Sequence, residues 1–375
     1  MDRGRRTRTT GTGSPRCLGV VSGYLFKLIR ESIPMTQVEL AERLAVDLNT
    51  VQGWELGRRP LTSMRALDLA RLRMKMTGLG VQPSLFELLS DAFEADLVIA
   101  DAVEAGARVA DPVSHPLAAV VHRRDLTNLI TWPVTGVTPT QLANLATGRP
   151  VRRGPVSDRP VLHADERARF FDHLLTSADA FRKDEHVLLR RQAIYLLGFD
   201  DRETSSQWLL DEQNKSVSAA SRAGDIPSWV AVRSSAIALA RNGNKEPLRR
   251  FVETGLSTDM QQTANLNYWA YWLGEIPEAQ ADDGFMIDAH PNRWAGTRVI
   301  EHLLGRLRPG SDHADLNIHT LWTLLLARPA VLDHQPDLRR LALTKIAQTE
   351  ADPDLGSRTR QELASVAYAI RLADR

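Results

Sequence analysis

A single cysteine, Cys17, stands in the 375 residues of this sequence. That excludes a disulfide framework within the chain and any cysteine-based zinc site. No run of apolar residues reaches the roughly 20 needed to cross a bilayer, and the longest candidate, Leu97 to Val109, is interrupted by Asp101 and Glu104. Arg5-Arg6 is followed by Thr, Gly and Ser instead of an apolar segment, so it is not a twin-arginine signal, and a cytoplasmic location is expected with no membrane partner. The spacings G-x-S-x-G, P-loop, H-E-x-x-H and C-x-x-C are all missing. His290, His302, His313, His319 and His334 are spread over separate segments, with no two at i and i+4 on one face. No catalytic residue, metal or cofactor is assigned, and the chain is read as a non-enzyme. Strand-like runs are also lacking.

What is present is size, helical patterning and an uneven distribution of charge. With 43% hydrophobic and 25% charged residues, the chain is globular and long enough for two domains. The net charge of +1 is the sum of unlike parts: residues 1 to 80 carry 14 Lys and Arg against 7 Asp and Glu, the remainder 33 against 39. The basic part suits nucleic acid, because neutralised phosphates supply most non-specific affinity.

That basic part is organised around Gly23 to Pro60. Thr36, followed three residues later by Glu39, forms a capping box and starts a helix. Val38, Leu40, Ala41, Leu44 and Ala45 fall on one stripe and are expected inside, with Glu39, Glu42 and Arg43 outside. Asp47 is an N-cap residue for a second helix, in which Val51 and Trp54 point back toward the first. The complementary face, Leu48, Asn49, Gln52, Gly53 and Leu56, has nothing to bury against. Upstream, Leu18 to Ile33 forms a helix with Leu25, Leu28 and Ile29 inward, ended by Pro34.

Gln37, Glu39-Leu40-Ala41, Leu44-Ala45, Thr50-Val51, Trp54-Glu55, Gly57-Arg58 and Pro60 share one spacing that resembles the XRE family, the DNA-binding domains of the phage lambda repressor and Cro type. The resemblance spans roughly residues 20 to 80. It implies a helix-turn-helix whose second helix enters the major groove of double-stranded DNA while the helix before it crosses the backbone. Carried over, it makes Leu48, Asn49, Gln52 and Gly53 the base readers, and Thr36, Gln37, Arg58 and Arg59 the phosphate contacts. Asn and Gln can bond bidentately to adenine, and an apolar side chain can sit on a thymine methyl. Leu48 and Gly53 depart from the family, which usually has more polar or longer side chains there. Either Gly53 admits the DNA closely or that base contact is absent. Arg30 and Glu55 stand where the family commonly has a partly buried ion pair. Relatives generally act as two-fold dimers, so a homodimer is expected.

Residues 1–17 read as a disordered basic tail, whose Arg3, Arg5, Arg6 and Arg8 either lie along DNA or contact nothing specific. After Pro60 a helix capped by Thr62 or Ser63, with Met64, Leu67, Ala70, Leu72 and Met74 apolar, completes a domain over residues 18–80. Ser84 and Glu87 form another capping box, opening a helix through about Glu104 that is apolar on more than one side. It must pack on the second domain or on its counterpart in a partner chain. With the proline-punctuated segment after it, including one helix near Leu117 to Ile130, it makes a connector over residues 81–162.

Residues 163–375 are patterned as ten helices with short breaks. Such a series favours stacked helical hairpins, of a tetratricopeptide or HEAT kind too degenerate to name. The expected fold is therefore all-α, a helix-turn-helix domain followed by a larger helical domain for dimerisation and for sensing a small-molecule or protein effector. Tyr268, Trp269, Tyr271 and Trp272 either line an effector pocket, with Asn265, Asn267 and Glu275 as polar handles, or pack the core. The function expected is sequence-specific transcriptional regulation. The first alternative is an antitoxin-like or adaptor protein whose DNA binding is autoregulatory, and the second is an enzyme regulated by DNA binding.

Overall fold

The computed structural model describes residues 19–109, 111–112, 114–142, 145, 158–183, 186–220, 225–278, 280, 282–288, 294–333 and 335–372. The expected basic tail, Cys17, His290 and His334 lie outside them. Sixteen α-helices and several 3-10 turns run through the described residues, with no strand among them, so the chain is all-α. They gather into two compact units, residues 1–176 and 177–375.

Unit 1 holds α1 (Val20–Ser32), α2 (Gln37–Leu44), α3 (Leu48–Glu55), α4 (Ala66–Gly78), α5 (Ser84–Ala105), α6 (Arg124–Thr135) and most of α7 (Ala164–Ala180). α1 and α3 cross very closely: a Cβ on Gly23 would stand 2.4 Å from the Trp54 carbonyl oxygen. That approach brings Phe26 edge to face against Trp54, 5.8 Å between ring centres, in a core with Leu25, Leu28, Ile29, Leu40, Leu44 and Val51.

Both halves of the capping box at Thr36 are made, Thr36 N–H donating to Glu39 at 2.7 Å and Glu39 N–H to the Thr36 hydroxyl at 3.2 Å. These bonds hold the Glu39 carboxyl below its usual range. Two residues expected inside are outside. Ala45 is itself the left-handed turn that ends α2, with φ of 56°, and Val38 stays 49% exposed because an eight-residue helix buries only Leu40, Ala41 and Leu44.

α4 also differs from expectation. A 3-10 turn, Leu61–Ser63, occupies the expected first turn, and neither Thr62 nor Ser63 caps the helix. Its apolar residues lie on both sides, and only the side with Leu72 and Met76 meets the core. Leu67 and Met74 remain 62% and 67% exposed. In α5 the expected capping box is absent, since Ser84 is already the first helical residue.

α5 packs against α1 and α6 inside its own unit. Most of its apolar residues are covered within the unit, with Leu97 left 62% exposed, and residues 81–162 contribute helices to the core that α1 shares. Asp96, 2% exposed in the middle of α5, accepts the N–H groups of Val21 at 2.8 Å and Ser22 at 3.0 Å. It so caps the start of α1, where the helix dipole favours negative charge. Burial still pushes this carboxyl up to about 6, with the Ser22 and Val21 bonds opposing. The helix expected near Leu117 to Ile130 is divided into a 3-10 turn, Pro116–Ala119, and α6, with His122 between them at a φ of 62°.

Unit 2 contains α8 (Val187–Leu197), α9 (Glu203–Ala220), α10 (Ile226–Arg241), α11 (Glu246–Thr254), α12 (Asp259–Trp272), α13 (Thr297–Arg306), α14 (Ala314–Ala327), α15 (Pro336–Glu350) and α16 (Ser357–Leu372). Neighbours joined by short loops pack together, as α9 on α10 and α15 on α16. Two helices nevertheless collect most of the packing: α10 against α8, α9 and α11, and α14 against α11, α12, α13 and α16. No described helix is long and apolar enough to cross a membrane.

Candidate nucleic-acid interface

The inner side of α3 is fastened by a buried charge network. Arg30 and Glu55, 4% and 7% exposed, form a two-point pair, Nε to Oε1 at 2.5 Å and Nη2 to Oε2 at 3.1 Å. Arg30 Nη1 donates to the Met35 carbonyl at 2.6 Å, and Gln37 Nε2 donates to Glu55 Oε2, also at 2.6 Å. One carboxylate thus links α1, the start of α2 and the end of α3. Lys75 of α4 donates to the Leu44 carbonyl at 2.8 Å, satisfying a free group at the end of α2.

On the outer side Asn49 is exposed, Leu48 and Gln52 are half-buried, and Leu56 is 56% exposed. Asp47 accepts the Asn49 N–H at 2.7 Å and so fixes the first turn of α3. Gly53 does not belong to this open set. The stem of Arg59 lies across it, so that a Cβ there would be 3.1 Å from Arg59 Cδ. Arg59 is held in place by its own N–H on the Gly53 carbonyl at 3.0 Å and by Nη1 on the Thr50 hydroxyl at 3.2 Å. The group presented at this position is therefore an arginine from the following turn, and Gly53 is withdrawn from the base-reading set.

Arg58 and Arg59 are both exposed. Gln37 is turned inward to Glu55, so the start of α2 offers backbone instead of side chain. The N–H groups of Gln37 and Val38 have no acceptor among the described residues, which leaves two donors in the first helical turn. Thr36 is exposed there, with its hydroxyl taken by Glu39.

In unit 2 the aromatic run does not act as a set. Tyr268 lines a cavity of about 20 Å3 together with Tyr195, Arg233, Ser234 and Arg241. Trp272 stacks on Tyr195 at 5.9 Å, Tyr271 meets Phe285 at 4.9 Å, and Trp269 meets His302 at 5.1 Å. Those three expected pocket residues are packing contacts. Among the expected polar handles, Asn267 donates to the carbonyls of Phe285, Met286 and Asp288, and Glu275 accepts the N–H groups of Gly296 and Val299 at the start of α13. Asn265 alone touches the cavity lining, accepting from Arg233. Tyr195, Arg233 and Arg241 escaped the sequence reading because they come from α8 and α10, and no spacing links them to Tyr268.

No three His, Cys, Asp or Glu side chains gather as a metal ion would need among the described residues. Comparison of the chain with family models, with curated proteins and with solved structures finds no match.

Proposed function

We propose that the chain is a sequence-specific DNA-binding transcriptional regulator of the XRE type, cytoplasmic and non-enzymatic, that reads the major groove with α3. In this reading two copies sit on half-sites one turn apart, and unit 2 senses an effector. The observation that carries the reading is the contrast between the two sides of α3: the inner side is locked through Glu55, while Leu48, Asn49 and Gln52 remain outward on a helix that cannot shift. Base readers need such rigid support. Arg58, Arg59 and the free N–H groups at the start of α2 flank them as phosphate contacts, which set register without carrying sequence.

The test is genome-wide occupancy of the tagged protein beside an Asn49→Ala, Gln52→Ala double variant at equal expression. Discrete palindromic sites that vanish in the variant are expected. Diffuse occupancy, unchanged by the substitutions, would remove these readers and favour the adaptor alternative. An Arg58→Ala, Arg59→Ala variant is expected to bind every sequence more weakly and to lower the salt dependence by about 0.9 for each phosphate it no longer neutralises.

A further inference from the structure

Two other sheltered arginines of unit 2 are paired with acids, Arg191 with Asp283 and Arg190 with Glu212. Arg233 is handled differently. It is 1% exposed, its Nε donates to Asn265 Oδ1 at 3.2 Å, and its Nη2 has no hydrogen-bond partner. No carboxylate pairs with it among the described residues. The rings of Tyr268 and Trp269 lie 4.1 and 5.2 Å from the guanidinium carbon. Aromatic faces of this kind replace only part of the hydration that a buried cation gives up. Burial lowers the pKa of Arg233, with the phenols of Tyr268 and Tyr195 acting the other way.

Arg233 lines the cavity of about 20 Å3, and the exposed Arg241 lines it too. Arg241 donates to the Gly198 carbonyl and lies 4.3 Å over the Phe199 ring. Asp312 is the one carboxylate whose field reaches it among the described residues. Tyr195 and Ser234, also in the lining, carry hydroxyls that donate to nothing else among the described residues. The space accepts one water-sized group.

We infer that this cavity is the headgroup site for a small oxyanion, a carboxylate or phosphate borne by a metabolite, held by Arg233 from within and by Arg241 from the solvent side. Guanidinium groups match the oxygens of either headgroup, and Tyr195 and Ser234 supply further donors. One oxygen of the headgroup fills the cavity, and the remainder of the ligand lies outside it. The inference rests on the effector-sensing part of the proposed function and is independent of its DNA-reading part.

The test is calorimetric titration of the full chain, without DNA, using inorganic phosphate in one arm and acetate in the other, in chloride buffer at constant ionic strength. Saturable one-to-one binding in at least one arm is expected, and the stronger arm identifies the headgroup. Arg233→Leu should abolish that binding, and Arg241→Gln should weaken it about tenfold through loss of a charge-assisted hydrogen bond. An Arg58→Ala, Arg59→Ala variant should bind as the wild type does, which separates this site from phosphate contacts in unit 1. Absence of saturable binding in both arms overturns the inference, as does binding that survives in Arg233→Leu. Should Arg233→Leu fail to fold, an unchanged affinity in Arg241→Gln overturns it.

Discussion

Arg30 in unit 1 and Arg233 in unit 2 are both buried, and the two are treated in opposite ways. Arg30 in unit 1 spends Nε and Nη2 on Glu55 and Nη1 on the Met35 carbonyl, so a full set of acceptors surrounds it. Arg233 in unit 2 is more deeply buried, yet it has one amide oxygen and two aromatic faces in place of a carboxylate. A buried charge with its counterion acts as a clamp, whereas one without it is a demand left for something else to meet. Unit 1 uses its arginine to hold a surface still. Unit 2 leaves Arg233 beside a cavity with no carboxylate.

The sharpest way to break this comparison is to remove one side of the clamp. Arg30→Ala leaves the buried Glu55 carboxylate without its cation, and stability should drop by about 3 to 5 kcal/mol. Urea unfolding of the full chain would show this as an early loss of helical signal from unit 1. A drop below roughly 1 kcal/mol, the range of exposed pairs, would mean that the network is incidental and that α3 is held by Phe26 and Trp54 alone.

A buried acid extends the comparison to the other sign. Asp96 retains its proton to about pH 6 in the folded chain, against 3.8 as its ordinary value. Between those values the folded state binds more protons than the unfolded one, so stability falls as pH rises through that window. The full difference corresponds to about 3 kcal/mol by neutral pH. Unfolding of Asp96→Asn and wild type at pH 4 and pH 7 should therefore show the variant gaining by about that amount relative to wild type at the higher pH. A gap independent of pH would show that the bonds to Val21 and Ser22 fully compensate the burial.

A smaller effect is expected at Gly23, where the obstacle is backbone and cannot rotate aside. Gly23→Ala forces its Cβ toward the Trp54 carbonyl at 2.4 Å, at a cost of about 1 to 3 kcal/mol, partly offset by roughly 1 kcal/mol of helix preference. Thermal unfolding reads the net loss. No loss would mean that α1 and α3 separate freely and that the Arg30 network alone sets their distance.

The two units also differ in how far sequence reasoning reached them. Helix positions followed from periodicity and caps, because Thr36, Asp47 and the short Gly, Asp and Pro breaks act locally. Features that depend on distant segments were invisible. Nothing near Gly53 indicates that Arg59 will lie over it, and nothing near Asp96 indicates that it will cap a helix more than seventy residues upstream. The apolar pattern of α4 was visible, but which of its two sides the core would take was not. In the aromatic run all four rings read alike, and only the positions of α8 and α10 single out Tyr268.

The smallest predicted change is the most informative about the comparison. In chloride buffer free of carboxylates and phosphates, Arg233→Leu removes a stacked cation worth up to roughly 2 kcal/mol and a hydrogen bond worth about 1 kcal/mol. It also removes the desolvation penalty of an unpaired guanidinium, which is several kcal/mol. These terms nearly cancel, so the variant should unfold within about 1 kcal/mol of wild type and tend toward greater stability, as replacement of buried charge by apolar side chains often does. Chemical denaturation of both proteins decides the point. A loss as large as that expected for Arg30→Ala would place Arg233 among the structural clamps and remove the reason to look for an anion beside it. Near-equality would leave Arg30 completing a fold and Arg233 awaiting a counterion that the described residues do not supply.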